Sequence, residues 1–477
     1  MRGFMYPFRR LFLGLIVLVS GFPVFAQTGR GPMIVNIDNP NFRKLVVAIP
    51  DFTSVDANDS KLKNLGASGA KELARLLSFS GLFNVIAEEA YSDVVKEMIK
   101  NTKPGALSQE KAGLAGVDVV QWKAISVESL TVAEIGKDSD GMTLALRTID
   151  INRSELVLGK KYTKIKENEY NLVIRRYADL LLQAYTGKPG IFSTKLVFVG
   201  RKSKKADKQI FVCDFDGSNL VQITKGEYPH VSPSWSSDGR YITFTSFERG
   251  SIDVYLYELA TGVKKRLSNH KGVNSGSNWS PNNKIIALTG SVEGDADIYY
   301  IPSLGGERTL LIRGSGLDVD PAFSPNSQFL AFVSGRYGNP HIFIATLDWQ
   351  GDNKVRVTGD KRLTYAGWYN ATPAWSSLSD KIAFAGYDKD IDRFDLFMMD
   401  PDGKNLERLT IRTGDNESPT WAPNGQILYF HSNRVENRNE KNVAQLFLMN
   451  RDGSGQRRID VGLYEAQTPK WSPVLNF

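Results

Sequence analysis

A short phrase built on an aromatic residue recurs six times in the C-terminal part of the chain and limits its fold more than any other feature. The aromatic residues are Trp235, Trp279, Phe323, Trp375, Trp421 and Trp471, and they are separated by 44, 44, 52, 46 and 50 residues. Self-similarity at a period of 40–50 residues is typical of a propeller or another repeat array. We therefore expect one small structural unit to be repeated around a common core.

Each complete copy has the pattern of four short strands. In the first copy the aromatic opens a strand, Ser237-Asp238-Gly239 forms a turn, and Ile242–Phe244, Ile252–Tyr257 and a segment ending near Arg266 supply the remaining strands. Alternating apolar residues with Asp-Gly or Asn-Gly turns are typical of hairpins. Four strands per ~45 residues make one propeller blade. The absence of Gly-His and Trp-Asp dipeptides argues against WD repeats.

The regularly spaced aromatics have two interpretations. Exposed, they would be platforms for a ligand, as in sugar-binding arrays. At one phase of every repeat, beside Pro and Ser, they are more typical of side chains that pack between adjacent blades, and we predict the latter.

The two ends of the repeat region complement each other. Segments Lys195–Val199, Gln209–Cys213 and Asn219–Thr224 match the second, third and fourth strands of a blade, but no aromatic strand precedes them. The final copy, "TPKWSPVLNF", has an opening strand and nothing after it. We predict that Trp471–Phe477 is the innermost strand of this sixth blade, so that strands from both ends of the propeller segment close the ring.

The first 26 residues have the pattern of a secretory signal peptide. Arg2, Arg9 and Arg10 precede the apolar run Leu11–Val19, and a small-residue site follows, with cleavage expected between Ala26 and Gln27. Nine apolar residues cannot span a ~30 Å hydrocarbon core, and no later run is long enough, so we expect an exported protein that is not membrane-embedded. Removing three arginines and no acid lowers the formal charge from +7 to +4, which is weak for nucleic-acid binding. The single cysteine allows no intramolecular disulfide.

The sequence divides into five parts. We predict a cleaved signal peptide (1–26), a flexible N-terminal segment (27–43), an α/β domain (44–186), a linker (187–194) and the all-β propeller (195–477). Within the α/β domain the patterns predict strands at Lys44–Ile49, Val117–Ile125, Met142–Leu146 and near Leu156–Tyr162, and helices that include a last one over about 167–185.

Positive signs of catalysis are lacking in the sequence. The four histidines form no metal-binding pair, and no Gly-x-Ser-x-Gly elbow or P-loop occurs. Acidic residues are plentiful but none are singled out by spacing, so a propeller glycosidase stays open. Asp214–Asn219 and Asp400–Asn405 resemble the start of a calcium loop, yet they recur at one blade position, as does Asn450–Gly453, and we predict hairpin turns.

One mouth of a propeller channel is surrounded by the loops from fourth to first strands and by the second-to-third loops. Singly, their residues are typical of solvated loops; together, a polar ring with Tyr and Arg is typical of a protein-binding face. The candidates are Glu227, His230, Asn274, Asp318, Asp320, Tyr369, Asn370, Asp415, Glu417, Glu465 and Gln467 in the first set of loops, and Arg249, Arg336, Tyr337, Asn339 and Arg434 in the second.

The order of these parts resembles the TolB family, the periplasmic component of the Tol–Pal cell-envelope system. The resemblance rests on the signal peptide, on "RRYADLLLQAYTGKPGIF" (Arg175–Phe192), on six blades of the "SPxWSxDGxxIxF" type, and on "FVSGRYGNPHIF" (Phe332–Phe343). Tyr185 stands where the family usually has Leu, Gly276-Ser277-Asn278 replaces a Pro phrase, and Phe323 replaces Trp.

The resemblance implies a non-enzymatic, monomeric periplasmic scaffold that supports outer-membrane integrity and constriction during division. The mouth would bind the peptidoglycan-associated lipoprotein Pal, bacteriocins could exploit the protein, and a divalent cation could occupy the channel. The N-terminal segment would contact the inner-membrane-anchored protein TolA; it comprises Gln27, Thr28, Gly29, Arg30, Gly31, Pro32, Met33, Ile34, Val35, Asn36, Ile37, Asp38 and Asn39. The alternatives are a propeller hydrolase or lyase, or a carbohydrate-binding propeller, acting on envelope glycans or peptides.

Overall fold

The computed structural model of the chain describes residues 43–101, 105, 107, 114, 117–291, 294–390, 392–411, 413–435 and 442–475. The predicted signal peptide, its cleavage site and the segment 27–39 lie outside the described residues. In the part of the chain that is described, no helix combines the length and apolarity needed to cross a membrane.

The N-terminal region is a mixed sheet with helices packed on it. Its sheet has the order β3-β1-β4-β5-β6, with β2 beside β4; β1 is parallel to β3 and β4, whereas β4, β5 and β6 form an antiparallel meander. The elements are β1 (Leu45–Ala48), β2 (Thr53–Ser54), α1 (Ser60–Phe79), β3 (Phe83–Val85), α2 (Ser92–Asn101), α3 (Val119–Ala124), β4 (Ser129–Asp138), β5 (Gly141–Asp150), β6 (Glu155–Ile165) and α4 (Tyr170–Thr186).

The two long helices begin and end where local chemistry requires. Asp59 caps α1 by accepting a hydrogen bond from the Leu62 amide at 2.9 Å. Helix α4 ends at Gly187, whose φ of 70° is the left-handed conformation that glycine adopts without strain. The apolar face of α4 is buried, including Ile174, Tyr177 and Leu181. Tyr185 is also buried, and its hydroxyl lies 2.7 Å from that of Ser129.

The predicted strand at Val117–Ile125 is wrong, because this segment contains the helix α3. Its β-branched residues favour a strand, but Asp118 accepts a hydrogen bond from the Val120 amide at 3.0 Å and so caps a short helix. Trp122 on that helix is fully buried against Tyr91, with 5.7 Å between the ring centroids. Burial of one large side chain therefore outweighs a local strand preference.

The C-terminal region is a six-bladed propeller of four-stranded antiparallel sheets. Blades 1 to 3 consist of β10 (His230–Trp235), β11 (Tyr241–Ser246), β12 (Asp253–Glu258) and β13 (Lys264–Arg266); β14 (Asn274–Trp279), β15 (Ile285–Ser291), β16 (Ala296–Pro302) and β17 (Thr309–Ile312); and β18 (Asp318–Phe323), β19 (Phe329–Ser334), β20 (His341–Trp349) and β21 (Val355–Arg362).

Blades 4 to 6 complete the ring, in which each innermost strand contacts those of its two neighbours. They consist of β22 (Tyr369–Trp375), β23 (Ile382–Asp388), β24 (Arg393–Met399) and β25 (Glu407–Arg408); β26 (Asn416–Trp421), β27 (Ile427–Ser432), β28 (Gln445–Asn450) and β29 (Arg457–Ile459); and β30 (Glu465–Trp471), β7 (Lys195–Arg201), β8 (Gln209–Asp214) and β9 (Val221–Gln222).

Blade 6 joins two distant parts of the chain. Its innermost strand β30 pairs antiparallel with β7, so that Trp471 lies opposite Leu196 and Glu465 opposite Arg201. The predicted bounds, Trp471–Phe477, are wrong: the strand ends at Trp471, as every innermost strand ends at its aromatic residue. After Trp471, Ser472 exchanges two 2.9 Å hydrogen bonds with Lys195, and Pro473 has no amide hydrogen with which to continue the ladder.

The six aromatic residues pack between blades, as predicted, and each is only 5–8 % exposed. Trp235 packs with Val197 and Val212 of blade 6, and Trp279 with Val254 of blade 1. The indole N–H of three of them also donates to the carbonyl that precedes the aromatic residue of the preceding blade. These bonds are Trp235 to Lys470 at 3.1 Å, Trp375 to Ala322 at 3.0 Å and Trp421 to Ala374 at 3.1 Å.

Every innermost strand carries a bulge at its third or fourth residue, on the wall of the channel. The ladder register shifts there in each blade. The residue at the bulge has positive φ in all six cases: Ser232, Gly276, Asp320, Thr372, Ser418 and Thr468, with φ between 48° and 60°. A repeated bulge of this kind bends each strand sharply at the narrowest part of the ring.

The α/β domain packs against one end of the propeller through the β8–β9 turn of blade 6. Phe215 in that turn lies 4.9 Å from Phe79 and 5.4 Å from Phe192, measured between ring centroids. The Tyr429 hydroxyl of blade 5 donates to the Phe215 carbonyl at 2.6 Å. As predicted, Asp214–Asn219, Asp400–Asn405 and Asn450–Gly453 all connect third to fourth strands. The α/β domain therefore lies at this end of the propeller.

Candidate partner-binding face

The opposite end of the propeller is the candidate site, and we call it the mouth. Because neighbouring strands run in opposite directions, the second-to-third and fourth-to-first connections leave the ring at one end. The first-to-second and third-to-fourth connections leave at the other end, where the α/β domain docks on the β8–β9 turn. The loops that were predicted to bind a partner therefore share the end away from that domain.

A ring of buried polar residues supports the mouth from below. The first or second residue of each innermost strand is polar, and its side chain is nearly inaccessible to solvent. These residues are His230, Asn274, Asp318, Asn370, Asn416 and Glu465, which are between 0 % and 7 % exposed. Five of them were predicted to contact a partner, whereas Asn416 was not. Buried polar groups of this kind are expected to be hydrogen-bonded within the protein.

In blades 3 and 5 an arginine from the second-to-third loop bonds to this ring. Arg336 donates to Asp318 at 3.2 Å and to Asp360 at 2.9 Å, and its guanidinium lies 5.0 Å from the Phe343 ring centroid. Arg434 donates to Asn416 at 2.8 Å in the same way. Both arginines were predicted to bind a partner, and both are already engaged in holding loops to the blade.

In blades 1, 2 and 6, other charged side chains bond to the buried polar ring. In blade 1, the His230 Nε2 lies 3.0 Å from Glu248, which is also 2.5 Å from Lys264. In blade 2, Arg308 donates to Asn274 at 2.8 Å. In blade 6, Glu465 pairs with Arg201 and, at 3.4 Å, with Lys208. Sequence reasoning missed Arg201, the last residue of β7, and Arg308, the residue before β17, because neither belongs to a mouth loop.

In blade 4, Asn370 donates to the Nδ1 atom of His341 at 3.0 Å. The neighbouring loop of blade 5 is fixed by Asp415, whose carboxylate accepts from the Asn433 side chain at 2.8 Å and from the Phe394 amide at 3.0 Å. The mouth loops of these two blades are therefore held by side-chain bonds in addition to their backbone ladders.

The remaining predicted residues differ in exposure. Glu227 and Tyr337 are exposed, and Tyr337 is 70 % accessible; Tyr228, which follows Glu227 in the same loop, is exposed as well. Asp320, Asn339, Tyr369, Glu417 and Gln467 are partly exposed, as are Asp415, Arg336 and Arg434. The side chain of Arg249 lies outside the described residues. Only part of the predicted set is therefore presented at the surface of the mouth.

Charged side chains also line the channel, where burial shifts their protonation. Burial raises the pKa of Asp320 and lowers the pKa of Lys470, and the attraction between these two groups opposes both shifts. Burial likewise raises the pKa of Glu417, with Asp415 adding to the effect. Burial lowers the pKa of His431 to about 4, so this imidazole is neutral at pH 7.

Side chains of the channel wall bear on the predicted divalent cation. Among the described residues, no three His, Cys, Asp or Glu side chains come together in a way that could hold a metal ion. Asp320 and Lys470 attract each other on the wall. A divalent cation in the channel stays a prediction from the family resemblance.

Two exposed aromatic residues at the mouth escaped sequence reasoning. Tyr365 and Trp368 lie in the loop from β21 to β22 and are 76 % and 51 % exposed. A cation covers each ring: Arg362 lies 4.8 Å from the Tyr365 centroid and Lys389 lies 4.5 Å from that of Trp368. The signal was present in "LTYAGWYN", because two large aromatics inside a turn segment have no strand in which to be buried.

A cavity of about 590 Å³ opens at the mouth between blades 4 and 5. Its walls are polar and carry both signs of charge: Asp392, Arg393, Thr413, Gly414, Asp415, Asn433, Arg434, Val435 and Asn442. The mouth thus offers both concave polar space and exposed aromatic surface, which protein interfaces use for anchor residues.

Comparison with known proteins identifies the family. Residues 182–475 match the family model described as TolB beta propeller domain. A protein of Desulfosudis oleivorans named Tol-Pal system protein TolB is 33 % identical over 240 residues, which cover 50 % of this chain and 51 % of that protein. A protein of the same name from Syntrophus aciditrophicus is 29 % identical over 263 residues, or 54 % and 55 % of the two chains. The chain thus matches about half the length of these curated relatives.

A solved structure extends the likeness to the whole fold. The crystal structure of TolB from Acinetobacter baumannii covers 90 % of this chain and 97 % of its own, with a TM-score of 0.71 and 24 % sequence identity. At 24 % identity this likeness shows the fold alone, which is a propeller preceded by an α/β domain. The family match spans more than half of the residues and bears out the resemblance seen in the repeats. The chain belongs to the TolB beta-propeller family.

Proposed function

We propose that the chain is a non-enzymatic periplasmic scaffold of the Tol–Pal system, and that its mouth binds the peptidoglycan-associated lipoprotein Pal. The names of the relatives support the assignment to this system. The proposal also assigns the protein a role in outer-membrane integrity and in constriction during division. Bacteriocins that exploit the system would use the same protein.

The observation that carries the proposal is the exposed aromatic surface of the mouth. Tyr228, Tyr337, Tyr365 and Trp368 are each more than half exposed, and all four lie in mouth loops. Large exposed aromatics on a rigid scaffold are typical anchors of protein interfaces. The loops around them are fixed by buried ion pairs such as Arg336 with Asp318, which reduces the entropy lost on binding.

The second contact of the scaffold is proposed for Gln27–Asn39, which would bind TolA. This segment precedes β1 of the α/β domain in the sequence, and that domain docks at the propeller end away from the mouth. The TolA contact rests on the resemblance to the family, because the segment lies outside the described residues.

Binding of purified Pal from the same organism tests the mouth. We expect the mature chain to bind Pal and expect the double variant Tyr337→Ser, Asn339→Ala to bind it at least tenfold more weakly, as loss of an anchor does. A matched control is Leu378→Ser, because Leu378 is 46 % exposed in the first-to-second turn of blade 4 at the other end. A chain that binds no Pal but turns over an envelope glycan or peptide would instead be an enzyme.

Deletion of Gln27–Asn39 tests the second contact. We expect the shortened chain to keep its thermal unfolding transition and its affinity for Pal while losing binding to TolA. Loss of the folded propeller on deletion would show that the segment is structural, and unchanged TolA binding would place that contact elsewhere.

A further inference from the structure

We infer that the mouth binds its partner through two separate groups of residues, which we call sectors; this inference rests on the proposed function. The aromatic sector consists of Tyr337, Tyr365 and Trp368, and the lysine sector consists of Lys202, Lys204 and Lys205. The partner element that fits both is an acidic protein segment, with carboxylates for the lysine sector and an apolar side chain for the aromatic sector.

The aromatic sector lies on blades 3 and 4. Tyr337 stacks on Phe343 with 6.0 Å between ring centroids, and Phe343 lies opposite Arg362 in the β20–β21 ladder. Arg362 in turn covers one face of Tyr365, while Lys389 covers one face of Trp368. The rings are thus held from beneath and yet 51–76 % exposed, which is the state of an anchor surface before binding.

The lysine sector lies in the β7–β8 loop of blade 6, also at the mouth. Residues 201–208, "RKSKKADK", hold one Arg and four Lys against a single Asp, a formal charge of +4. Arg201 and Lys208 are paired with Glu465. Lys202, Lys204 and Lys205 are exposed and form no ion pair with any carboxylate among the described residues. Three adjacent uncompensated cations attract a segment of opposite charge.

The two sectors face each other across the channel. Blades 3 and 6 are three steps apart in a ring of six, so they lie on opposite sides of the mouth. A partner that touches both must therefore span the channel, which a helix or an extended protein segment does. The cations over Tyr365 and Trp368 occupy one ring face each, which favours an apolar side chain over a sugar that stacks on an open aromatic plane.

Binding kinetics of the mature chain with purified Pal separate the two sectors. Because charge mainly steers association, Lys202→Gln, Lys204→Gln, Lys205→Gln together should lower the association rate roughly tenfold at low salt and flatten its salt dependence. Because anchor contacts mainly set dissociation, Tyr365→Ala with Trp368→Ala should raise the dissociation rate roughly tenfold or more with little change in association.

Matched controls use the opposite end of the propeller. Lys284, Lys354 and Lys404 are exposed in turns at that end, and their triple change to Gln removes the same net charge. Leu378→Ala removes an exposed apolar side chain there. Both controls should leave the two rates within about twofold of the parent.

The outcomes distinguish this inference from the proposed function. If the parent chain binds no Pal, the proposed function fails. If the parent binds Pal and both sector variants match the controls, the two-sector inference is wrong while the proposed function stands. If the lysine variant binds Pal normally but no longer sediments with purified peptidoglycan or with vesicles of anionic lipid, the lysine sector reads another ligand class and the inference is overturned.

Discussion

At the scale of single residues, the repeated aromatic position has two structural roles, packing and hydrogen bonding. It fills the space between neighbouring sheets, and in four blades its indole N–H also donates to an atom of the preceding blade. Blade 3 has Phe323 at this position and cannot donate from its side chain. There the Asn278 side chain accepts from the Phe323 amide at 2.9 Å, so the contact between blades is made by a different pair of atoms.

Replacing Trp421 separates the two jobs. Trp421→Phe keeps most of the packing and loses the bond to Ala374, so we expect the free energy of unfolding to fall by about 1 kcal/mol. Trp421→Ala leaves a cavity and should cost about 3–5 kcal/mol. Urea denaturation followed by circular dichroism measures both values. Equal losses in the two variants would mean that the hydrogen bond, not the packing, dominates.

Two glycines with positive φ should differ in how much stability is lost when a larger side chain replaces them. At Gly276 an added Cβ meets nothing closer than 3.6 Å, and five other blades use larger residues there, so Gly276→Ser should cost less than about 1 kcal/mol. At Gly272 an added Cβ would lie 1.8 Å from the Ser291 carbonyl oxygen, so Gly272→Ala should cost more than about 3 kcal/mol. Thermal unfolding of the two variants measures this, and similar losses would contradict it.

His431 should make the protein less stable in mild acid. Burial lowers its pKa to about 4, below the ordinary 6.5, so between these values the unfolded chain binds a proton that the folded chain does not. Its contribution is therefore intact above pH 6.5 and is lost progressively as the pH falls toward 4. We expect His431→Gln to lose less stability than the parent between pH 7 and pH 5, measured as the urea midpoint; identical shifts would refute this.

At the scale of elements, one turn of blade 6 does more than reverse the chain. Asp214 is 2 % exposed and accepts from Arg175 at 2.6 Å and from Lys195 at 2.5 Å, while Asp216 pairs with Arg75 at 2.5 Å. The equivalent turn of blade 4 has no contact of this kind to make with α1 or α4 among the described residues. The β8–β9 turn therefore attaches the α/β domain, together with Arg457 of blade 5, which donates to the Phe79 carbonyl at 3.1 Å.

Breaking the attachment should loosen the domain without unfolding the propeller. Arg75→Ala with Arg175→Ala leaves the buried carboxylates of Asp214 and Asp216 short of partners, which typically costs about 3–5 kcal/mol per buried pair. We expect faster proteolysis in the linker 187–194 and a larger radius of gyration by small-angle scattering. The control Arg451→Ala removes an Arg–Asp pair within the propeller and should change neither.

At the scale of the whole molecule, stability depends on blade 6. Its four strands come from residues 195–222 and 465–471, and β30 contacts the neighbouring blades on both sides. Ending the chain at Gln467 removes Trp471, two of the five residue pairs with β7 (Lys470 with Val197 and Trp471 with Leu196) and the bonds from Ser472 to Lys195. We expect this truncation to abolish the cooperative thermal transition of the propeller, whereas ending the chain at Leu475 should preserve it. A truncated chain with the parent's transition would show that five blades suffice.

The sequence predicts the large features for identifiable reasons. Six aromatic residues at one phase identify the blades, and strand counting at both ends assigns the sixth blade, because repetition averages out local ambiguity. It predicts the mouth loops less well. In the sequence, Asn274, Asp318 and Arg336 look like ordinary polar loop residues. Only the folded ring shows that Arg336 donates to Asp318, and Arg308 to Asn274, beneath the surface. Val117–Ile125 was mistaken because one aspartate and one buried tryptophan decide its conformation.

The pairing of β30 with β7 also fixes a minimum time between the synthesis of β7 and the completion of its blade. Lys195 and Ser472, which bond across this junction, are 277 residues apart. At the usual ~5–20 residues per second, a ribosome needs roughly 14–55 s to reach β30 after it has made β7. Until then one edge of β7, which includes Val197 and Val199, has no strand beside it. A chaperone that binds the nascent chain must cover that edge for this interval of roughly 14–55 s. Each of the other five blades needs such cover only while about 45 residues are made.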